Sequence, residues 1–352
     1  MNILVIGGTG FIGRFVVRDL VEAGHDVTVY HRGKSNPQLP RGTRQIIGDR
    51  AELGSRRAEI AGARPDVVID CILSSGAQAT ALMDIFRGTI SRIVILSSQD
   101  VYRAYGILLG MESGELEPVP LTEDSPLRTR LRPYPAQQLQ LMQRIFPWLD
   151  NEYEKIEVER AVANDSELPA TVLRLPMVYG PGDPLHRLYP IVKRVEDGRQ
   201  AILLDEGSAR WRASRGYVEN VATAIAIAAT SDRATGRTYN IAESTTPSEL
   251  EWTQLVARAA DWRGEVVVLD NQSIPAHLRV PSNTAQDWIV SSERIRGELG
   301  VHESVPTAEA LRRTIEWETA NPPHDVPAAL FDYPAEDAAI QRFRSSGGAR
   351  NT

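Results

Sequence analysis

Along the first hundred residues, short apolar runs alternate with longer amphipathic stretches. Asn2 to Ile6 is almost continuously apolar and rich in branched side chains, the pattern of a strand buried on both faces. Phe15, Val16, Leu20 and Val21 follow at helical spacing, and Gly24 stands where a C-terminal helix cap belongs. Val27 to Tyr30, Ile46-Ile47 running into Gly48-Asp49, Val67 to Ile72 and Ile93 to Leu96 predict further strands, with helices near 51–62 and 77–86 between them. Such alternation predicts an α/β fold, a doubly wound parallel sheet with helices on both faces. Farther on, Pro247–Ala260 and Thr307–Thr319 are helical by period, and Pro322-Pro323 ends the second of these. Residues 322–352 read as a C-terminal tail with a weak helical patch near 335–343 and a frayed end from Ser345 to Thr352.

Composition narrows the classes. The 352 residues are 42% hydrophobic and 24% charged, with a net charge of −7, which fits a folded globular protein and gives no general attraction for nucleic acid. One cysteine, Cys71, excludes a disulfide scaffold and fits a reducing compartment. No apolar run reaches membrane-spanning length, and MNILVIGGTG lacks a secretory pattern, so the expectation is a cytoplasmic protein without a membrane partner. Three of the 39 basic residues are lysine: Lys34, Lys155 and Lys193. Where an arginine-rich chain keeps lysine, an ammonium rather than a guanidinium is suggested. The six histidines are scattered, so no metal site is expected.

The first strand runs into Gly7-Gly8-Thr9-Gly10-Phe11-Ile12-Gly13. A strand, a glycine turn and a helix are the context of a dinucleotide fingerprint, although the spacing here is GxxGxxG. Glycines permit a tight turn and close approach to a pyrophosphate, and the helix N-terminus offers free N–H groups to it. The candidate cofactor residues are Gly7, Thr9, Gly10, Phe11, Ile12 and Gly13 in the turn. His31, Arg32 and Lys34 follow the second strand, Asp49 and Arg50 the third, and Pro176 stands farther along, after Arg174-Leu175. The second strand ends without the acidic residue that meets a ribose 2′-hydroxyl. Arg32 and Lys34 suit a 2′-phosphate instead, so the cofactor expectation is NAD(P) with NADP favoured over NAD. Asp49 is placed to meet the adenine amino group.

At this point the residues resemble the extended short-chain dehydrogenases, the group that includes the NAD-dependent epimerases and dehydratases of nucleotide sugars. The motifs are GGTGFIG at 7–13, LSSQDVY at 96–102, LRLPMVYGPGD at 173–183, GYVENVATAI at 216–225 and TYNIA at 238–242. The resemblance implies a Rossmann domain over 1–176 with a return segment near 213–242. It also implies a smaller C-terminal α/β substrate domain over 177–212 and 243–321, and a small-molecule substrate in the cleft between the two. A helix-paired homodimer is common in the resembled family. Its chemistry uses a serine or threonine with a tyrosine and a lysine four residues apart, the tyrosine exchanging a proton and the lysine lowering its pKa and holding the nicotinamide ribose.

Ser98 matches the serine, three residues before Val101-Tyr102. The tyrosine–lysine pair departs from the pattern. Taking Lys155 as the lysine puts Asn151 in the tyrosine slot and Tyr153 two residues ahead. On a regular helix, positions i and i+2 lie about 200° apart and share no face. Either the helix starts late enough for Tyr153 to reach the site beside Lys155, or the phenol points elsewhere and the triad is broken. The catalytic candidates are therefore Ser98, Tyr153 and Lys155.

Asp100, Met177 and Arg215 are candidates on the substrate side. Asp100 occupies a position where the resembled dehydratases keep an acid, but Gln99 replaces its partner, and a strand-end cap is the simpler reading. Met177 stands where many relatives have a sugar-nucleotide-binding asparagine, and a thioether cannot replace an amide there. Arg187, Lys193, Arg210, Arg212 and Arg215 are candidate anion ligands, with Trp211 and Tyr217 as stacking surfaces or core. Residues 132–149 look inserted and suggest a mobile lid over the nicotinamide end. Two functions follow: an NAD(P)-dependent oxidoreductase, epimerase or dehydratase-like enzyme acting on a hydroxyl or carbonyl of a small, sugar-derived or similar molecule, or a non-catalytic NADP(H)-binding sensor or scaffold with a degraded triad.

Overall fold

The computed structural model describes residues 1–34, 38–163 and 165–346. Seven parallel strands form the main sheet: β1 (Asn2–Ile6), β2 (Asp26–His31), β3 (Arg44–Ile47), β4 (Val67–Asp70), β5 (Arg92–Ser98), β6 (Ala170–Leu175) and, after β7 (Met177–Tyr179), β8 (Ala201–Asp205) and β9 (Arg215–Tyr217), β10 (Thr238–Asn240). Their spatial order is β10-β6-β5-β4-β1-β2-β3, so the winding reverses between β1 and β4. In doubly wound sheets ligands bind at that reversal, beyond the carboxyl ends of the strands.

The two-sided burial follows from β1. Ile3 and Val5 face one core with Val16, Val17 and Leu20 of helix Gly13–Glu22 and Val221 and Ile225 of helix Val218–Thr230. Leu4 and Ile6 face the other core with Leu82, Met83 and Phe86 of helix Gly76–Phe86 and Val158 and Val162 of helix Lys155–Val162. Alternate side chains of one strand thus bind different layers, which requires an unbroken apolar run.

Beyond β6 the chain builds a second layer. β7 pairs with β9, and β8 pairs in parallel with β11 (Glu265–Leu269). The expected tail is part of this region. Residues Tyr333–Ser345 form a full helix, and its Ala339 and Ile340 complete the core made by Ala201, Leu203, Val267 and Leu269. Arg194 and Glu336 form a buried ion pair at 2.6 Å that fixes this helix to helix Tyr189–Glu196. The hydrophobic signal of 335–343 is weak because only two or three side chains of the helix face the small sheet. The predicted fraying of 345–352 falls mostly outside the described residues.

Because Ile340 is 6% exposed and closes that core, Ile340→Ala is expected to destabilise the protein by ~3 kcal/mol, read as a lower urea midpoint with unchanged slope. An unchanged midpoint would show that the C-terminal helix is not needed for stability.

Candidate functional site

A cleft of about 1040 Å³ opens at the winding reversal. Gly7, Thr9, Gly10, Phe11, Ile12 and Gly13 form its floor, as the turn pattern suggests. Gly13 is where the helix meets the strand: a Cβ there would collide with Gly7 O and come within 2.8 Å of the Gly8 Cα. At Gly10 the nearest atom to a Cβ is 3.5 Å away, so a side chain there would occupy cleft space instead of meeting protein. Close packing behind the turn and open backbone in front of it fit a dinucleotide pyrophosphate.

The other cofactor candidates divide. His31, Arg32, Asp49 and Arg50 line the same cleft. Three already have partners within the protein: His31 Nε2 meets Gln45 Oε1 at 2.9 Å, Asp49 Oδ1 accepts from the Ala51 N–H at 3.0 Å, and Arg50 makes a two-pronged pair with buried Asp70 at 2.9 and 2.6 Å. Asp49 thus caps a short helix with one carboxylate oxygen while lining the cleft. Arg32 is half-buried with its guanidinium near Pro147 O at 3.3 Å. Lys34 is exposed and is not among the cleft-lining residues, and neither is Pro176, which packs against Gly216. Cys71 lies on the cleft wall, where burial pushes its thiol up.

The inserted segment supplies the opposite wall. Helix Ala136–Ile145 ends in Phe146-Pro147-Trp148, which line the cleft on the side of Arg32 rather than only at the β5 end. Asp150 pins this wall to the start of helix Gly76–Phe86, accepting from Ser75 Oγ and Gln78 Nε2, each at 3.1 Å. The expected lid at the nicotinamide end is thus a wall reaching toward β2. Its apolar face is bound into a cluster of Leu139, Leu149 and Tyr153.

Asp100, Tyr153 and Lys155 meet at the end of β5, where Ser98 stands; none of the four is among the cleft-lining residues, but Lys155 Nζ lies 5.9 Å from the ring centre of Trp148 on the cleft wall. The helix bearing Lys155 begins at that residue, with Glu154 as its N-cap, so Tyr153 lies in extended chain ahead of it. This late start removes the i, i+2 conflict. Tyr153 Oη donates to Asp100 Oδ2 at 2.9 Å, and Tyr134 Oη donates to the same oxygen at 3.2 Å. Tyr105 extends the chain of hydroxyls, 3.2 Å from Tyr134. Asp100 is not the strand-end cap: Ser98 Oγ fills that role by accepting from Asp100 N–H at 3.1 Å. Ser98 keeps its own proton to donate.

Burial raises the Asp100 carboxyl above its usual range, against the opposing pull of Arg128. Burial, then the Asp100 charge, raises the Tyr153 phenol well above its ordinary value. Lys155 Nζ donates to Leu73 O and to Leu96 O, the latter at 2.8 Å, and burial lowers it to about 8. It lies 5.9 Å from the Tyr153 ring centre. Two carbonyls take two of the three ammonium protons, leaving one for a ligand.

Residues outside the sequence motifs hold this group in place. Arg128 is fully buried, donates to Asp100 O at 2.5 Å and pairs with buried Glu154 at 3.0 Å. Glu154 also accepts from Ile156 N–H at 2.9 Å and Arg132 N–H at 2.6 Å. In a chain with 36 arginines nothing local marks Arg128 as the internal one.

A second cavity, of about 400 Å³, lies beyond β7. Met177, Trp211 and Arg215 line it. The segment after β7 joins the two spaces, Gly182 and Pro184 lining the first and Arg187 and Leu188 the second. The five candidate anion ligands all face carboxylates: Arg187 Asp183, Lys193 Asp197, Arg210 Glu206, Arg212 Glu251 and Arg215 Glu249. Tyr217 is core, packed on Tyr179. Among the described residues no cluster of His, Cys, Asp and Glu is arranged for a metal, and no helix is long and apolar enough to cross a membrane.

With this geometry, the chain belongs to the NAD dependent epimerase/dehydratase family, whose profile matches residues 3–242. Among similar proteins, the 2′-dehydrokanamycin reductase of Streptomyces kanamyceticus is 28% identical over 265 residues, 73% of this chain and 65% of that one. The 2-alkyl-3-oxoalkanoate reductase of Stenotrophomonas maltophilia is 29% identical over 244 residues, 64% of each. The chain thus spans a little under two thirds of these relatives' length. Its fold is similar to that of the Bordetella bronchiseptica enzyme WbmG in complex with NAD and UDP, with a TM-score of 0.65, 16% identity and coverage of 91% of this chain and 95% of that one. It is also similar to the Thermus thermophilus UDP-glucose 4-epimerase in complex with NAD, with a TM-score of 0.60, 20% identity and coverage of 91% and 100%.

Removing one side of the buried Arg128–Glu154 pair leaves an uncompensated charge. Arg128→Met is therefore expected to cost ~3–5 kcal/mol, measured by chemical denaturation, while Arg130→Met on the surface is expected to cost almost nothing. Equal effects would show that the pair does not hold the site.

Proposed function

We propose that this protein is an NAD(P)-dependent enzyme that transfers a hydride to or from a carbonyl or hydroxyl carbon of a small molecule. The observation that carries this reading is the convergence of Ser98, Tyr153 and Lys155 at the end of β5, beside a glycine-floored cleft. The backbone at 7–13 would hold the pyrophosphate and Lys155 Nζ a ribose hydroxyl of a dinucleotide, whose nicotinamide would supply or take the hydride. In the reducing direction, Ser98 Oγ donates a hydrogen bond to the carbonyl oxygen and polarises it. As that oxygen gains negative charge it takes the proton of Tyr153 Oη, so the phenol O–H bond breaks and the alcohol O–H bond forms. The phenolate then regains a proton from solvent, and the Asp100 carboxylate, whose Oδ2 accepts from both Tyr153 and Tyr134, disfavours leaving it charged. Tyr105, hydrogen-bonded to Tyr134, continues this chain of hydroxyls.

The cofactor preference rests on Arg32, a half-buried cation on the cleft wall where a 2′-hydroxyl reader would be acidic. NADPH is therefore the expected partner. Arg32→Asp is expected to weaken NADPH ~10²-fold and to leave NADH unchanged or tighter, by calorimetry. An NADH preference in the unaltered protein would refute the assignment.

One observation favours a second reading, a nucleotide-binding protein without turnover: the Tyr153 phenol is bound to Asp100 and its pKa is raised rather than lowered. Tyr153→Phe separates the two. With a carbonyl compound found by NADPH oxidation across a panel, this variant is expected to lose ~10²–10⁴ in kcat while its NADPH affinity stays within about twofold. Absence of any turnover in the panel, or unchanged kcat in the variant, would favour the second reading.

A further inference from the structure

The inserted segment crosses the cleft that the glycine turn floors. At one end Pro147 O accepts from the guanidinium of Arg32, which follows β2, at 3.3 Å. At the other end Asp150 N–H donates to Ser74 Oγ at 2.9 Å and Glu154 N–H donates to Ser74 O at 3.0 Å, in the chain just after β4. Gln143 Nε2 holds Leu149 O from within the segment at 3.2 Å. In the sheet β2 and β4 flank β1, so residues 147–150 reach from one side of the glycine turn to the other. Trp148 sits between these anchors. It is half-buried and lines the cleft, with the Phe146 ring 5.9 Å away, centre to centre.

The indole's other neighbour is Lys155, whose Nζ lies 5.9 Å from the ring centre. The Tyr153 ring stands at the same distance from that ammonium but does not line the cleft, so the indole is the aromatic surface that the cleft and Lys155 share. Lys155 has one ammonium proton left after Leu73 O and Leu96 O. A hydroxyl that accepts it lies ~3 Å from Nζ and hence no more than ~9 Å from the indole centre. A flat, partly exposed aromatic surface beside a cation with a spare donor suits a sugar that carries a planar heterocycle.

We infer that Trp148 contacts the nicotinamide half of the dinucleotide, packing on the riboside whose hydroxyl Lys155 would hold, and keeps water from that end of the cleft. The inference rests on the proposed function and adds to it a residue from the inserted segment, outside every motif. Anchors on both sides of the ring hold it as a fixed wall, so the contact needs no closing loop. Arg32, on the far side of the turn, answers for the adenosine half.

The test compares the whole cofactor with its adenosine half. The full chain and its Trp148→Ala variant are titrated by calorimetry with NADPH and 2′,5′-ADP, and likewise with NADH and ADP. Trp148→Ala is expected to weaken the tighter of NADPH and NADH about tenfold and to leave the matching fragment within about twofold, while Trp148→Phe restores most of the loss. A ring that only packs on Phe146 would shift whole cofactor and fragment alike, or neither, and either result would overturn the inference. The emission of bound NADPH reads the same end directly. It is expected to be enhanced on the unaltered protein and to fall toward that of the free dinucleotide in Trp148→Ala; equal emission on the two proteins would also overturn the inference. Should Trp148→Ala not fold, Trp148→Leu, which keeps an apolar side chain against Phe146, is read in the same way. Failure of the unaltered protein to bind NADPH or NADH would remove the proposed function itself, whereas a dinucleotide bound equally well by the variant would remove only the contact of Trp148.

Discussion

The contact on which the rest of the molecule depends is the one without side chains between the first strand and the first helix. Gly13 presses on the backbone of Gly7 and Gly8 with no room for a Cβ. That closeness sets the helix N-terminus directly over the end of β1, and it aligns the floor of the cleft with the winding reversal. A methyl group there would displace the helix, and with it Val16, Val17 and Leu20, from the core they share with β1. Fold and site are therefore one constraint at this end of the chain.

At the end of β5 the organising element is internal charge. Arg128 and Glu154 are both removed from solvent, and the pair fixes the chain just before the helix of Lys155. Because that helix starts at Lys155, a tyrosine two residues earlier is carried by extended backbone into the same space. The result is a different arrangement from a tyrosine and lysine on successive helical turns. The phenol answers to a carboxylate, and the ammonium is held by strand-end carbonyls. Both groups have their charged forms disfavoured by burial, so the site favours a neutral tyrosine, and Lys155 is held at about 8.

Much of the architecture was legible because it is written in periodicity. The strands of the main sheet are short apolar runs, and the glycines of the turn stand where backbone contact allows nothing larger. What was not legible depends on contacts distant in sequence. The C-terminal helix was read as a tail because its apolar face is narrow, and its role appears only with the small sheet under it. Asp49 also caps a short helix, and the arginines after β7 are paired with carboxylates, contacts that no local pattern announces. Arg128 carries no local signal, since only tertiary packing makes one arginine internal.

The central claim is that the backbone of residues 7–13 grips a dinucleotide, and calorimetry on the Gly10→Val variant tests it most directly. A Cβ at Gly10 comes no closer than 3.5 Å to any atom beyond its chain neighbours, so the variant should melt with the unaltered protein while losing NADPH binding by ~10²-fold or more. Saturable NADPH binding that survives the substitution unchanged, or no binding of NADPH or NADH to the unaltered protein, would contradict the account.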